Sequence, residues 1–127
     1  MKKRVPVQTL AAACVCASLL SGCVSRIGDF TVLSTKNMDL NSRDGFETRT
    51  GGRRAVGEDK QHFVLLFPVT GVANLKEATD RAIDSIPGAV GLSNVVLYNT
   101  SLWIPFIYGN AGYRVEGDPV FKKEAPR

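Results

Sequence analysis

Residues 74–88, NLKEATDRAIDSIPG, carry the clearest helix signal in the chain. Asn74 suits a helix N-cap, and Glu77 stands three residues on, at the spacing of a capping box. Apolar or small residues recur at steps of three and four along one face: Leu75, Ala78, Thr79, Ala82, Ile83 and Ile86. Pro87-Gly88 ends the pattern. The stretch therefore predicts one amphipathic helix.

Strand-like segments lie on both sides of this helix. Residues 62–68, HFVLLFP, form a continuous apolar run that Pro68 stops, which indicates a buried central strand. Alternation and β-branched residues predict further strands, at about 30–36, 94–98, 102–108 and 113–120. Pro105 predicts that its strand is an edge strand or carries a bulge. The glycine-rich residues 109–112, GNAG, predict the last turn.

Residues 46–56, FETRTGGRRAV, favour a hairpin. Gly51 and Gly52 can adopt the positive φ of a two-residue turn between short polar flanks.

Together these patterns predict an α+β fold. It is a small, mostly antiparallel sheet of five to six strands with the amphipathic helix packed on one face. The strands before and after the helix can pair in parallel through a right-handed crossover.

The first 22 residues read as an export signal. Lys2, Lys3 and Arg4 precede an apolar stretch of about 12 residues, which is too short for a bilayer core that requires about 20. Without this segment 13 basic residues face 12 acidic ones, so the net charge of +4 falls to +1. The sequence therefore predicts no nucleic-acid partner.

The segment ends in Leu20-Ser21-Gly22-Cys23, which resembles the lipobox of bacterial lipoproteins. The resemblance implies that Leu20, Ser21 and Gly22 direct cleavage before Cys23. It also implies that Cys23 carries a diacylglycerol on sulfur and an N-acyl lipid as the membrane anchor. Val24 stands where Asp favours inner-membrane retention, which implies the outer membrane, facing the periplasm.

The rest of the chain resembles small bacterial envelope lipoproteins in the runs DFTVLSTKN, NLKEA, IPFIYG and YRVEGDPV. This resemblance implies no particular activity. The implied organisation is a signal peptide at 1–22, a lipidated tether at 23–29, one periplasmic α+β domain at 30–121 and a polar tail at 122–127. A seven-residue tether reaches roughly 25 Å at most.

The sequence predicts a non-enzyme without a metal or cofactor other than the covalent lipid. His62 is the only histidine, Cys23 is the only cysteine after the signal, and no catalytic motif occurs.

Two stretches are candidate binding surfaces. Arg49, Arg53 and Arg54 can form a basic hairpin tip for anionic headgroups, or simply a solvated hairpin. Trp103, Phe106 and Tyr108 can face a partner or a membrane interface, or complete the core under the helix.

These observations predict a lipid-anchored adaptor or accessory binding subunit with an envelope protein partner. One alternative is an envelope-acting hydrolase, which requires a cleft that gathers His62 with Asp59 or Glu58. Another is a phage-exclusion or immunity lipoprotein, which differs from the adaptor only in its partner.

Overall fold

A computed structural model describes residues 21–38 and 45–123. The elements follow in chain order: β1 Ser21–Leu33, β2 Phe46–Thr48, β3 Ala55–Val64, β4 Phe67–Pro68, α1 Leu75–Asp84, β5 Ala89–Ile104 and β6 Tyr108–Lys122. The strands form a six-stranded sheet in the order β1-β5-β6-β3-β4, and β2 pairs with the end of β6 beyond β3. Every pairing is antiparallel. The predicted antiparallel sheet with one short helix is confirmed.

The predicted parallel pairing across the helix is wrong. Strands β3 and β5 run in the same direction, but β6 lies between them and pairs with both. Strand β6 follows β5 through a tight turn, and this local hairpin occupies the position that a parallel partner would need.

The helix α1 begins as the sequence predicts. The side chain of Asn74 accepts a hydrogen bond from the backbone N–H of Lys76 at 2.8 Å. The helix sits very close to β3, because a Cβ on Gly57 would collide with the backbone of Ala78 and Ala82. The buried core lies between this helix and the adjoining half of the sheet: Ala55, Ala78, Ala82, Ile83, Ala89, Leu92, Val95, Leu97 and Val115.

The apolar run at residues 62–68 is not a central strand. It ends β3 at Val64, turns through Leu65 and Leu66, and returns as the two-residue strand β4. The run is exposed from Val64 onward. Hydrophobicity predicted burial here, but the segment lies beyond the part of the sheet that the helix covers.

The last turn also differs from the prediction. The chain reverses at Pro105, Phe106 and Ile107, whereas residues 109–112 belong to β6. Two glycines in this stretch permit close approach rather than a turn. A Cβ on Gly109 would collide with the Trp103 ring, and one on Gly112 would collide with the backbone of β3.

The hairpin predicted at Gly51-Gly52 is wrong. Strands β2 and β3 do not pair with each other, since both pair with β6. The backbone N–H of Arg49 donates to Pro119 at 3.1 Å, and the chain then leaves the sheet until Ala55. The polar flanks had only weak strand signals, and the long partner strand β6 determines where they pair.

The tether predicted at residues 23–29 is part of the sheet. Strand β1 runs from Ser21 to Leu33 and pairs with β5 along its whole length, so the first strand begins nine residues before the predicted residue 30. Its sequence alternates poorly because β1 is an edge strand and most of it is exposed. Residues 1–20, with most of the predicted signal and Leu20, and residues 124–127 of the predicted tail lie outside the described residues. Lys122, the first residue of that tail, ends β6.

No helix among the described residues is long and apolar enough to cross a membrane.

Candidate functional site

Two turns lie side by side at one end of the sheet. The β3–β4 turn touches the β5–β6 turn, since the backbone N–H of Leu65 donates to the carbonyl of Ile107 at 3.3 Å. We call this region the apolar end. Its members are exposed hydrophobic residues: Val64, Leu65, Leu66, Phe67, Trp103, Phe106 and Ile107. The exposed fraction reaches 75% for Phe106 and 73% for Phe67.

The backbone of the apolar end is strained at three bulky residues. Leu65 and Leu66 have φ of 48° and 72°, at the two central positions of a turn where Asn and Gly are preferred. Phe106 has φ of 59°, directly after Pro105, where a turn with this hydrogen-bond pattern normally has Gly. Large apolar side chains therefore occupy positions that disfavour them on both solvation and backbone grounds.

Cys23 lies next to the apolar end. Ser21 pairs with Trp103, and Cys23 pairs with Ser101, so β1 begins where β5 approaches its turn. At about 3.3 Å per residue, Cys23 lies roughly 10 Å behind Ile104, the last residue of β5. Cys23 is a free, exposed cysteine. The structure thus brings together two features that the sequence predicted separately, the LSGC motif and the aromatic run.

The aromatic run is divided between the two faces of the sheet. Trp103 pairs with Gly109, and Tyr108 pairs with Ile104, so the two aromatic side chains point to opposite faces. Trp103 lines an apolar depression of about 330 Å³ together with Phe63, on the face that also carries Cys23. Neither Trp103 nor Phe106 belongs to the buried core under the helix.

Tyr108 contacts the only histidine. Its hydroxyl lies 2.5 Å from Nδ1 of His62, and Asn110 donates to the same hydroxyl at 3.4 Å. This contact lies on the face of the sheet opposite Trp103.

The three arginines lie toward the other end of the sheet. Arg49 stacks on Phe121, with its guanidinium carbon 4.4 Å from the ring centroid. Arg54 donates to the carbonyl of Asn94 at 2.8 Å and lies 3.6 Å from the Asp118 carboxylate. Arg53 lines a shallow depression beside Arg49.

This region is distant from the apolar end. The backbone partner of Arg49 on β6, Pro119, is 11 residues from Tyr108, or roughly 36 Å along the strand. The structure therefore does not bring Arg49, Arg53 and Arg54 together with Trp103, Phe106 and Tyr108.

Charged residues are absent from the sequence around the apolar end. None occurs between Lys60 and Lys76, or between Asp84 and Arg114. Counted along the strand away from the apolar end, the first charged residue of β1, β3 and β6 is basic in each case: Arg26, Lys60 and Arg114 respectively. These two uncharged stretches are the sequence signal that could have located Leu65 and Leu66 as site residues.

Each of these basic residues has an acidic neighbour. Arg26 lies 2.6 Å from Asp29, and this exposed ion pair raises the pKa of the Arg26 guanidinium through its hydrogen bond with the carboxylate. Lys60 lies 2.6 Å from Glu58. Arg114 lies 2.6 Å from Glu116.

A polar depression of about 500 Å³ lies along β3. Its lining includes His62, Glu58, Asp59 and Arg81. Asp59 accepts the backbone N–H of Asn74 at 2.8 Å and pairs with Arg81 at 2.9 Å, so this carboxylate anchors the start of α1. Within residues 21–38 and 45–123, no group of three or more His, Cys, Asp or Glu is arranged to hold a metal ion.

Comparison with known proteins finds no similar family model, curated protein or solved structure for this chain.

Proposed function

We propose that the protein is a lipid-anchored bacterial envelope lipoprotein that acts as a non-enzymatic adaptor or accessory binding subunit on the periplasmic face of the outer membrane. The observation that carries the proposal is the position of Cys23. It follows Leu20-Ser21-Gly22, it is exposed, and it lies on the strand that begins beside the apolar end.

Lipidation at this position has a direct physical consequence. One acyl chain binds a membrane only marginally, whereas two or three chains on one residue make attachment effectively permanent. Because Cys23 is already paired with Ser101 in the sheet, no slack separates the lipid from the folded domain. A lipidated protein would therefore keep its sheet end at the bilayer surface.

The proposal includes the signal peptide at 1–22 and an amphipathic helix packed on one face of the sheet. The buried residues of α1, Ala78, Thr79, Ala82 and Ile83, recur at steps of one and three and support this description.

The adaptor role is supported by the contacts of the polar depression. Asp59 is engaged by Asn74 and Arg81, and His62 contacts Tyr108. The Asp59 carboxylate is thereby committed to the fold, and a catalytic His62 would still require a nucleophile or a water that it can activate.

The anchor is tested by metabolic palmitate labelling. Cys23→Ser should abolish labelling and leave an unprocessed precursor, because no other sulfur stands at the cleavage position. Cys16→Ser is the matched control, since it removes a thiol from the same region and should label normally. Labelling and processing of the Cys23→Ser variant at the wild-type level would contradict the anchor.

The partner is identified by crosslinking in intact cells followed by mass spectrometry of the captured protein. An envelope assembly subunit supports the adaptor. A phage or competitor envelope protein supports the immunity alternative.

A hydrolase remains a second candidate because the polar depression does gather His62 with Glu58 and Asp59. His62→Ala would abolish hydrolysis of purified envelope material if His62 were the base. Equal product release by the wild type and by a no-protein control would reject this candidate.

A further inference from the structure

We propose that the apolar end enters the interfacial region of a lipid bilayer beside the lipid on Cys23. This inference rests on the proposed lipoprotein function and adds a second, non-covalent contact with the same membrane. The domain then stands with its two turns in the headgroup and acyl boundary, and with α1 farther from the membrane.

The apolar end is a contiguous group of exposed, uncharged residues. Single exposed hydrophobic residues are normal on a protein surface, but a contiguous group marks an interaction site. Here two adjacent turns present only uncharged residues, and Leu65, Phe67, Phe106 and Ile107 are each exposed by more than 60%.

The apolar end also holds three residues in a strained backbone conformation. Leu65, Leu66 and Phe106 keep a left-handed conformation that glycine or asparagine would adopt more easily. Strain of this kind persists where the side chain has a function. In water these side chains gain nothing from their exposed position, whereas in a lipid interface their apolar surface is buried.

The position of Cys23 identifies the lipid bilayer as the occupant of the apolar end. Because Cys23 pairs with Ser101, three residues before the end of β5, the acyl chains on Cys23 leave the domain close to the apolar end. Interfacial elements bury their apolar face about 5–10 Å into the headgroup and acyl boundary. Cys23 lies roughly 10 Å behind Ile104, so this insertion depth brings its sulfur to the headgroup level, where a diacylglycerol thioether must lie.

The charge pattern fits the same orientation. Arg26, Lys60 and Arg114 lie on one face of the sheet, about four to six residues behind the turns. Four to six strand residues correspond to roughly 13–20 Å, so the first charged residues on these strands lie outside the inserted part and stay in water. Each of the three is paired with a carboxylate, so insertion of the apolar end buries no charge.

The test uses Trp103, the single tryptophan of the chain, as the probe. The full-length lipidated protein is reconstituted in vesicles of phosphatidylethanolamine and phosphatidylglycerol that contain lipids brominated at a shallow or a deep acyl position. We expect Trp103 emission to shift to shorter wavelength and to be quenched more by the shallow bromines than by the deep ones, with weak quenching by aqueous acrylamide.

Two variants remove the apolar character. Leu65→Asp with Phe106→Asp should reduce lipid quenching severalfold, because charges at the turns oppose insertion. Leu65→Asn with Leu66→Gly should reduce it as well, and because this pair relieves strain, its urea unfolding midpoint should show that the loss is not due to misfolding. Val32→Asp is the matched control. Val32 is 54% exposed and pairs with Ser93, far along β5 from the apolar end, and its replacement should leave quenching unchanged.

The failure of this inference is distinct from failure of the anchor. Vesicle flotation and palmitate labelling report Cys23, and Trp103 quenching reports the apolar end. A labelled, floating protein whose Trp103 is quenched by acrylamide and not by bromolipid would overturn the insertion and leave the anchor intact. Shielding of Trp103 from both quenchers would also overturn it, in favour of a protein partner or a second copy on the apolar end.

Discussion

Replacing Leu65 and Leu66 by Asn and Gly should stabilise the isolated domain. Each leucine has a left-handed backbone that disfavours an L-residue with a bulky side chain by about 1–2 kcal/mol. The replacement relieves both positions and creates the residue pair preferred in two-residue hairpin turns. It also removes the apolar area that the leucines bury in the free protein.

The expected change in the free energy of unfolding follows from the exposed fractions of the two leucines. Leu65 and Leu66 are 63% and 61% exposed, so each buries less than half of its side chain. Full burial of a leucine contributes about 1.5–3 kcal/mol, and the pair therefore loses about 1.5 kcal/mol in total. The relief of strain exceeds this loss, and we expect the free energy of unfolding to rise by about 1–2 kcal/mol. For a domain of this size the melting temperature should rise by roughly 5–10 °C.

Urea unfolding followed by far-ultraviolet circular dichroism measures this change, on a chain of residues 23–127 with Cys23→Ser and without lipid or detergent. The control is Leu65→Ala with Leu66→Ala, which loses the same apolar contacts but keeps the left-handed backbone, and should lower the stability by about 1–1.5 kcal/mol. The two variants should therefore change stability in opposite directions. Equal destabilisation of both would refute the argument, because it would mean that side-chain contacts, and not backbone strain, dominate this turn.

Three further changes test the fold. Asp80 accepts hydrogen bonds from Lys76 and Thr35, and these lower the pKa of its carboxyl. Asp80→Asn should therefore be less stable than the wild type above the ordinary carboxyl pKa of about 3.9, and the two should become equally stable as the pH falls below it. Unfolding midpoints between about pH 2 and pH 7 measure this difference in stability, and a difference that does not change with pH would contradict the prediction. Gly57→Ala should displace α1 and destabilise the domain by about 3 kcal/mol or more in urea, because its Cβ meets helix backbone that cannot yield, whereas Gly52→Ala, with open space around it, should change stability little. Ile83→Ala should lower the free energy of unfolding by about 2–5 kcal/mol through the cavity left under the fully buried side chain, and a loss below about 1 kcal/mol would place Ile83 outside the core.

The helix and the antiparallel sheet could be predicted because their signals are local. The capping side chain of Asn74 and the spacing of Ala78, Ala82 and Ile83 act within a few residues of one another, and the structure confirms the short helix and its cap. Hydrophobicity alone was a poor guide at residues 62–68, since it does not distinguish a buried strand from an exposed turn.

The sequence by itself determined the helix with its N-cap, the uncharged stretches on either side of α1 and the LSGC motif at the start of β1. Only the tertiary structure decided that β1 begins beside Trp103, that two apolar turns meet at Leu65 and Ile107, and that the arginines lie far from both. The physical reason is that antiparallel pairing joins residues about 80 positions apart, such as Ser21 and Trp103, and this register is a property of the whole sheet rather than of either segment.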